Sequence, residues 1–169
     1  MSEIIRPWRM DDADALAAVI GNPKVQEMLR DGLPCPYTAG DAREFISAML
    51  GAGEGSVYPF AIALGDECVG SISVTRGGNV HRLTGELGYY VAEEHWGRGL
   101  CTAAVRELCA HVFENTDILR IYATPYAHNA ASCRVLEKAG FTCEGTLRAA
   151  AIKQGVVRDM RMYALLRGE

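Results

Sequence analysis

The chain has 169 residues, 49% of them hydrophobic and 22% charged, which is enough apolar material for one packed core and excludes wholesale disorder. Its 17 Lys and Arg against 21 Asp and Glu leave a net charge of -4, which argues against a non-specific nucleic-acid or acidic-membrane binder. Six cysteines with no C-x-x-C pair, and four histidines with no two at i, i+4, exclude the common zinc patterns.

The opening Met1-Ser2-Glu3-Ile4-Ile5-Arg6 has no apolar secretory core, and runs such as Phe60-Ala61-Ile62-Ala63-Leu64 are too short to span a bilayer. A single cytoplasmic domain over residues 1–169 is therefore expected, with its thiols reduced and packing as small apolar groups. Glu3 to Arg9 alternates like an edge strand. Asp11-Asp12 supplies acids ahead of a helix that starts at Ala13 and sets Leu16, Val19 and Ile20 on one side. Asn22-Pro23 breaks it. Val25, Met28 and Leu29 suggest a second, short helix, stopped by Pro34 and Pro36. Thr38 can cap a third, in which Ala42, Phe45, Ile46, Met49 and Leu50 recur at helical spacing, and Gly51 to Gly55 reads as the following loop.

Strands come next. Val57 to Leu64 and Val69 to Val74 flank the turn Gly65-Asp66, and Leu83 to Val91 follows the turn Gly77-Gly78-Asn79. Gly97 to Phe113 is the clearest helix, with Leu100, Ala104, Leu108 and Val112 in one row. A strand over Ile118 to Thr124, a helix from Asn129 to Ala139 closed by Gly140, and a hairpin of Phe141 to Leu147 with Arg158 to Leu166 complete the chain. The order β-α-α-α-β-β-β-α-β-α-β-β predicts an α+β fold whose sheet is mostly antiparallel, with one or more helical crossovers.

The chemistry concentrates at Trp96-Gly97-Arg98-Gly99-Leu100-Cys101-Thr102, between a strand and a helix. Two glycines one residue apart let the backbone approach a ligand and aim successive N–H groups into one concavity. The helix beginning there adds its unpaired N–H groups and positive dipole end. A phosphate or pyrophosphate is the natural guest, and a glycine-punctuated turn without a ligand is the alternative. No Walker A sequence is present. Thr102 holds the place of a dinucleotide fingerprint's third glycine, and Asp117 precedes the next strand instead of ending it. A thiol at a helix N-terminus can also be a nucleophile, but Cys101 has no His–Asn or His–Asp partner recognisable by motif.

A second constellation, Asn129-Ala130-Ala131-Ser132-Cys133-Arg134-Val135-Leu136-Glu137-Lys138-Ala139-Gly140-Phe141, lies downstream. Taken with the glycine loop, it resembles the GNAT superfamily of acyl-CoA-dependent N-acetyltransferases, closest to the branch of ribosomal-protein N-terminal (RimJ/RimL-type) acetyltransferases. The resemblance begins at Ile5-Arg6-Pro7-Trp8 and Asn22-Pro23-Lys24-Val25. It continues through Gly85-Glu86-Leu87-Gly88-Tyr89-Tyr90-Val91, and ends with Glu144 to Arg148 and Asp159 to Leu166.

The resemblance implies a twisted, mostly antiparallel sheet of about seven strands flanked by helices, with acetyl-CoA as co-substrate between two splayed parallel central strands. It puts the pyrophosphate on the N–H groups of Gly97, Arg98, Gly99, Leu100, Cys101 and Thr102. The backbone of Tyr90 and Val91 would hold the pantetheine and acetyl carbonyl, Asn129 the pantetheine arm, and Ser132 would lie near the sulfur. Trp96 and Cys101 depart from the family's loop, and Leu136 stands where the family often has a tyrosine acid, which leaves Ser132 or a water as the candidate proton donor to the leaving thiolate.

Glu86 is the candidate general base, among apolar and glycine neighbours on the strand leading to the loop; an acid paired to Arg or Lys is its alternative role. Tyr89 and Tyr90 read as packing residues on opposite strand faces, and His81 and His128 as loop residues. Arg148 and Asp159 fit either substrate contact or a mutual salt bridge. Pro34 to Tyr37 and Ala149 to Gly155 are expected around the acceptor. The implied partners are acetyl-CoA and a primary amine, either a protein N-terminus or a small molecule, with a homodimer allowed and no metal, nucleic acid or membrane. A catalytically silent acyl-CoA binder of the same fold is the second reading.

Overall fold

The protein, described by a computed structural model over residues 3–169, carries its elements in nearly the expected order; Met1 and Ser2 of the opening segment lie outside the described residues. In sequence they are β1 (Ile5–Arg6), α1 (Ala13–Ile20), α2 (Pro23–Glu27), α3 (Ala39–Leu50), β2 (Val57–Leu64), β3 (Glu67–Arg76) and β4 (Thr84–Val91). Then come α4 (Leu100–Asn115), β5 (Arg120–Ala123), α5 (Ala130–Lys138), β6 (Thr142–Lys153) and β7 (Val156–Leu166). The strands form one sheet in the order β1-β2-β3-β4-β5-β7-β6, antiparallel at every ladder except β4 against β5. Those two parallel strands need a crossover, and α4 provides it.

Local chemistry explains the helix starts. Asn22 accepts the Lys24 N–H while Pro23 takes the first helical position, so the break after Ile20 is also the cap of α2. Thr38 and Asp41 cap α3 reciprocally. Strand alternation sends Ile62, Ile72, Val74 and Leu87 to one face, where Leu108 and Val112 of α4 and Leu136 of α5 cover them. Ala61 and Cys68 face the other layer, built from Trp8, Leu16, Ile20, Ala42 and Ile46. Leu50, expected in the apolar row of α3, is instead 54% exposed at the end of the helix.

Two strands depart from the sequence reading. β1 is short because Pro7 has no N–H to pair and Arg9 already leads into a turn of 3-10 helix over Met10–Asp12. The terminal hairpin is longer than expected. β6 continues past Leu147 to Lys153 through an irregularity at which Ala149 takes a φ of 51° and donates its N–H to Asp159 at 2.7 Å. Asp159 therefore serves this kink, and the salt bridge to Arg148 is not found among the described residues.

The entry into α1 is fixed by a bidentate pair, with both terminal nitrogens of the Arg6 guanidinium donating to the Asp12 carboxylate at 2.8 Å. Burial pushes that carboxyl up, but the Arg6 and Arg9 hydrogen bonds and charges more than offset it, and its pKa lies below the ordinary value. A depressed native pKa means stability that is present above the unfolded value of about 3.9 and lost as pH falls through the native one. Asp12→Ala, which strands a guanidinium only 12% exposed, is expected to cost about 3 kcal/mol at pH 7. Denaturant unfolding at pH 7 and again near pH 3 checks this, since the difference between the two chains should shrink in acid.

Candidate active site

The site begins where two strands part. β5 pairs with β4 only at Thr84–Arg120, Gly85–Ile121 and Glu86–Tyr122. Beyond Glu86 the strands separate, as the resemblance implies, and a cleft of about 910 Å³ opens between them. The hydrogen bonds from Gly77 N–H to Thr84 C=O and from Ala92 N–H to Val69 C=O set the parity of the β3–β4 ladder. Pairs alternate, so Ser71 and Tyr90 exchange main-chain bonds, whereas Tyr89 and Val91 turn their N–H and C=O groups away from β3, toward the cleft. The Val91 carbonyl is taken by the Trp96 indole N–H at 3.1 Å. The cleft-facing main chain thus belongs to Tyr89 and the Val91 N–H. Tyr90 lines the cleft, but the expectation for its main chain is corrected, because its backbone faces Ser71 and its side chain packs toward the α1–α3 layer.

At the far end of β4 lies the glycine loop. Gly97 and Gly99 have φ of 73° and 76°, left-handed values natural only to glycine, and Gly99 is the N-cap of α4. This geometry bares a row of donors: among the described residues the N–H groups of Gly97, Arg98, Gly99, Leu100, Cys101 and Thr102 have no main-chain or side-chain acceptor. The first turn of α4 holds no acidic residue and its N-cap supplies no side-chain hydrogen bond, so the helix itself does not neutralise its positive end. Gly97, Gly99, Leu100, Cys101 and Thr102 line the cleft, whereas the Arg98 side chain is exposed outside it. Arg134 and Lys138, one turn apart on α5, also line it and add positive charge that the motif reading missed. The residues present fit an elongated diphosphate ligand.

α5 forms the other wall. Asn129 caps it, its Oδ1 accepting the Ser132 N–H at 3.1 Å, so the side chain expected to bind a ligand also has a structural duty. The Ser132 hydroxyl lies 2.7 Å from the Tyr89 hydroxyl. Tyr89 packs on the α4 side as the sequence suggests, yet its polar end reaches the cleft. Leu136 is fully buried in that core.

Glu86 lines the cleft near the start of β4, away from the glycine loop, half-buried, with the Arg30 guanidinium 2.5 Å from its carboxylate and Tyr122 beside it. The apolar surroundings expected for it are replaced by a cation. Arg30 belongs to a segment held from several sides: Tyr126 donates to the Leu29 carbonyl at 3.0 Å, and Asp31 meets Lys153 at 3.0 Å and the Gln154 N–H at 2.9 Å. Met28 to Leu33 with Tyr37 and Phe45 line this mouth. Of the hairpin, Met160 does so; Ala149 to Gly155 do not, because the tip is fastened to Asp31 instead.

The remaining candidates separate clearly. Burial raises the Cys101 thiol to about 11 despite its place at a helix start. At pH 8 only about one thiol in a thousand is then ionised, and a nucleophilic role finds no support. Iodoacetamide at pH 8 is expected to modify the exposed Cys35 and Cys143 long before Cys101, whose rate should climb about tenfold per pH unit up to pH 11. Peptide mapping after timed labelling reads this directly. His81 and His128 are exposed, and among the described residues no three His, Cys, Asp or Glu side chains gather as a metal site.

Comparison with known proteins agrees with this geometry. The acetyltransferase (GNAT) domain family matches residues 4–142. The uncharacterized N-acetyltransferase p20 of Bacillus licheniformis is 27% identical over 98% of this chain and 93% of its own length. The ribosomal-protein-serine acetyltransferase of Escherichia coli (strain K12) is 30% identical over 62% of this chain and 58% of its own length. RimJ of Mycobacterium smegmatis in complex with CoA-disulfide superposes with a TM-score of 0.87 at 27% identity, covering 96% of this chain and 81% of that one. The family match takes in the parted strands, the glycine loop and the Asn129 helix together, and the chain belongs to the GNAT family of acetyltransferases.

Proposed function

We propose that the protein transfers an acetyl group from acetyl-CoA directly to a primary amine, within a ternary complex and without a covalent enzyme intermediate. The observation that carries this is the row of unpartnered N–H groups from Gly97 to Thr102, opening on a cleft that ends at Glu86. Those amides would hold the diphosphate, the main chain of Tyr89 and Val91 the acyl arm, and Ser132 the region of the sulfur.

The proton is the harder problem. At pH 7, freeing an α-amine of pKa about 7.8 costs roughly 1 kcal/mol, and freeing a lysine of pKa about 10.4 roughly 4.6 kcal/mol. A single half-buried carboxylate, reached through water, suits the first demand better than the second. A relative named as a ribosomal-protein-serine acetyltransferase supports a protein amine as acceptor, and the smaller cost of freeing an α-amine favours a chain terminus over a lysine. The Arg30–Glu86 pair does not block this role, since an ion pair with Arg30 80% exposed is worth no more than about 1 kcal/mol and yields to an incoming ammonium group.

The test is thiol release from acetyl-CoA in the presence of short peptides with free N-termini, small primary amines and N-terminally blocked lysine peptides. Turnover with the first group, and at least tenfold less with the last, is the expected result. CoA binding with no turnover on any acceptor would instead select the silent binder.

A further inference from the structure

The leaving sulfur has no tyrosine on α5 to meet it, because Leu136 occupies that place and is buried in the core. Another tyrosine approaches from the opposite wall. We propose that Tyr89 of β4 is a positioning residue that aims the Ser132 hydroxyl at the departing thiolate, so that the pair stabilises the sulfur by hydrogen bonding without surrendering a proton. This rests on the acetyl-transfer reading above.

The geometry assigns the roles. The Ser132 N–H is held by Asn129, which fixes the residue on the first turn of α5 and leaves only its hydroxyl free to rotate. The Tyr89 hydroxyl lies 2.7 Å from Ser132 Oγ and 3.3 Å from the Ser132 carbonyl. When the phenol donates to Oγ, the serine's own hydrogen is released to point into the cleft that both residues line. Hydrogen bonds in such a chain polarise one another, which strengthens the terminal donor.

The chemistry says why a proton should stay put. Burial raises the Tyr89 phenol well above its ordinary value, and the other groups acting on it are Ser132, Cys101, Cys133 and Tyr163, none of them a carboxylate or a cation. A thiol near pKa 8.5 is therefore the stronger acid, and transfer from either hydroxyl to the thiolate would run uphill. In the step itself the amine nitrogen forms a bond to the acyl carbon and the carbon–sulfur bond breaks with its electron pair on sulfur. The amine proton leaves on the Glu86 side through water, and the thiolate, held by Ser132, takes its proton from solvent on release.

The test titrates CoA bound to the full-length protein, reading thiolate ultraviolet absorbance against pH for wild type, Tyr89→Phe, Ser132→Ala and the double variant. In wild type the bound thiol should ionise below the free value. Each single variant should lose that depression, and the double variant should lose no more than either alone, as expected of two groups acting in series. Turnover should fall about 10- to 100-fold with KM for acetyl-CoA little changed, because the interaction forms only as charge develops on sulfur. Phe keeps the ring of Tyr89, so thermal unfolding should report an intact fold. If Tyr89→Phe leaves the bound-thiol titration at the wild-type value while Ser132→Ala shifts it, Tyr89 only packs and the proposal falls. If neither variant moves it, the proposal falls while acetyl transfer stands; if wild type binds no CoA, the acetyl-transfer reading falls first.

Discussion

Gly99→Asp is expected to weaken CoA binding by about 100-fold or more while leaving the fold standing. A Cβ at residue 99 meets nothing within 4 Å, so the substitution has room at its first side-chain carbon. The φ of 76° costs a non-glycine residue about 1 kcal/mol, least for Asp and Asn, and the helix start returns roughly half of that to a carboxylate. Against a bound phosphate about 5 Å away, the new charge costs about 3 kcal/mol at an effective dielectric constant of 20, or roughly 100-fold in affinity. Gly99→Asn carries the same backbone strain without the charge, and should keep most of the binding. Calorimetry with CoA, beside a thermal melt of each variant, decides the matter. Equal losses for Asp and Asn would mean that backbone shape, and not anion binding, is what the loop provides, and undiminished binding by the Asp variant would remove the phosphate from this helix altogether.

Replacing Glu86 by Gln should lower kcat for acetylation of an α-amine by about 100- to 1,000-fold, the usual worth of a positioned general base, with KM for acetyl-CoA within twofold of wild type. Gln keeps the shape and the hydrogen bond available to Arg30 and Tyr122 but cannot take the proton. The split between kcat and KM matters because Glu86 lies far along β4 from the loop at residues 97–102, at the other end of the cleft. Since the Arg30 partnership is an exposed one, losing it should change stability by less than about 1 kcal/mol. Steady-state kinetics with a peptide acceptor provides the measurement. A kcat within threefold of wild type would make Glu86 a structural acid held for Arg30.

Much of the fold is legible in the sequence itself. The row Leu100, Ala104, Leu108, Val112 and the glycines before it announce α4 and its bared amides, because helix periodicity and positive φ are properties of a few neighbouring residues. Asn22-Pro23 and Thr38 mark caps for the same reason, and the succession of strands and helices was enough to require a crossover. The hairpin boundary has no local signature, because the kink at Ala149 depends on a carboxylate from Asp159 on the facing strand.

The reacting end of the cleft was hidden for a related reason. Whether Tyr89 or Tyr90 turns its backbone to the cleft follows from the parity of the β3–β4 ladder, and slipping the register by one would exchange them without altering a residue. Arg30 meets Glu86 across 56 positions, and Tyr89 meets Ser132 across 43. Neither pairing has a local signature. Backbone conformation answers to the nearest neighbours along the chain, so elements and amide-lined turns can be read from short stretches. The company each polar group keeps depends on how separate stretches pack, and here only the assembled sheet brings hydroxyl to hydroxyl and guanidinium to carboxylate.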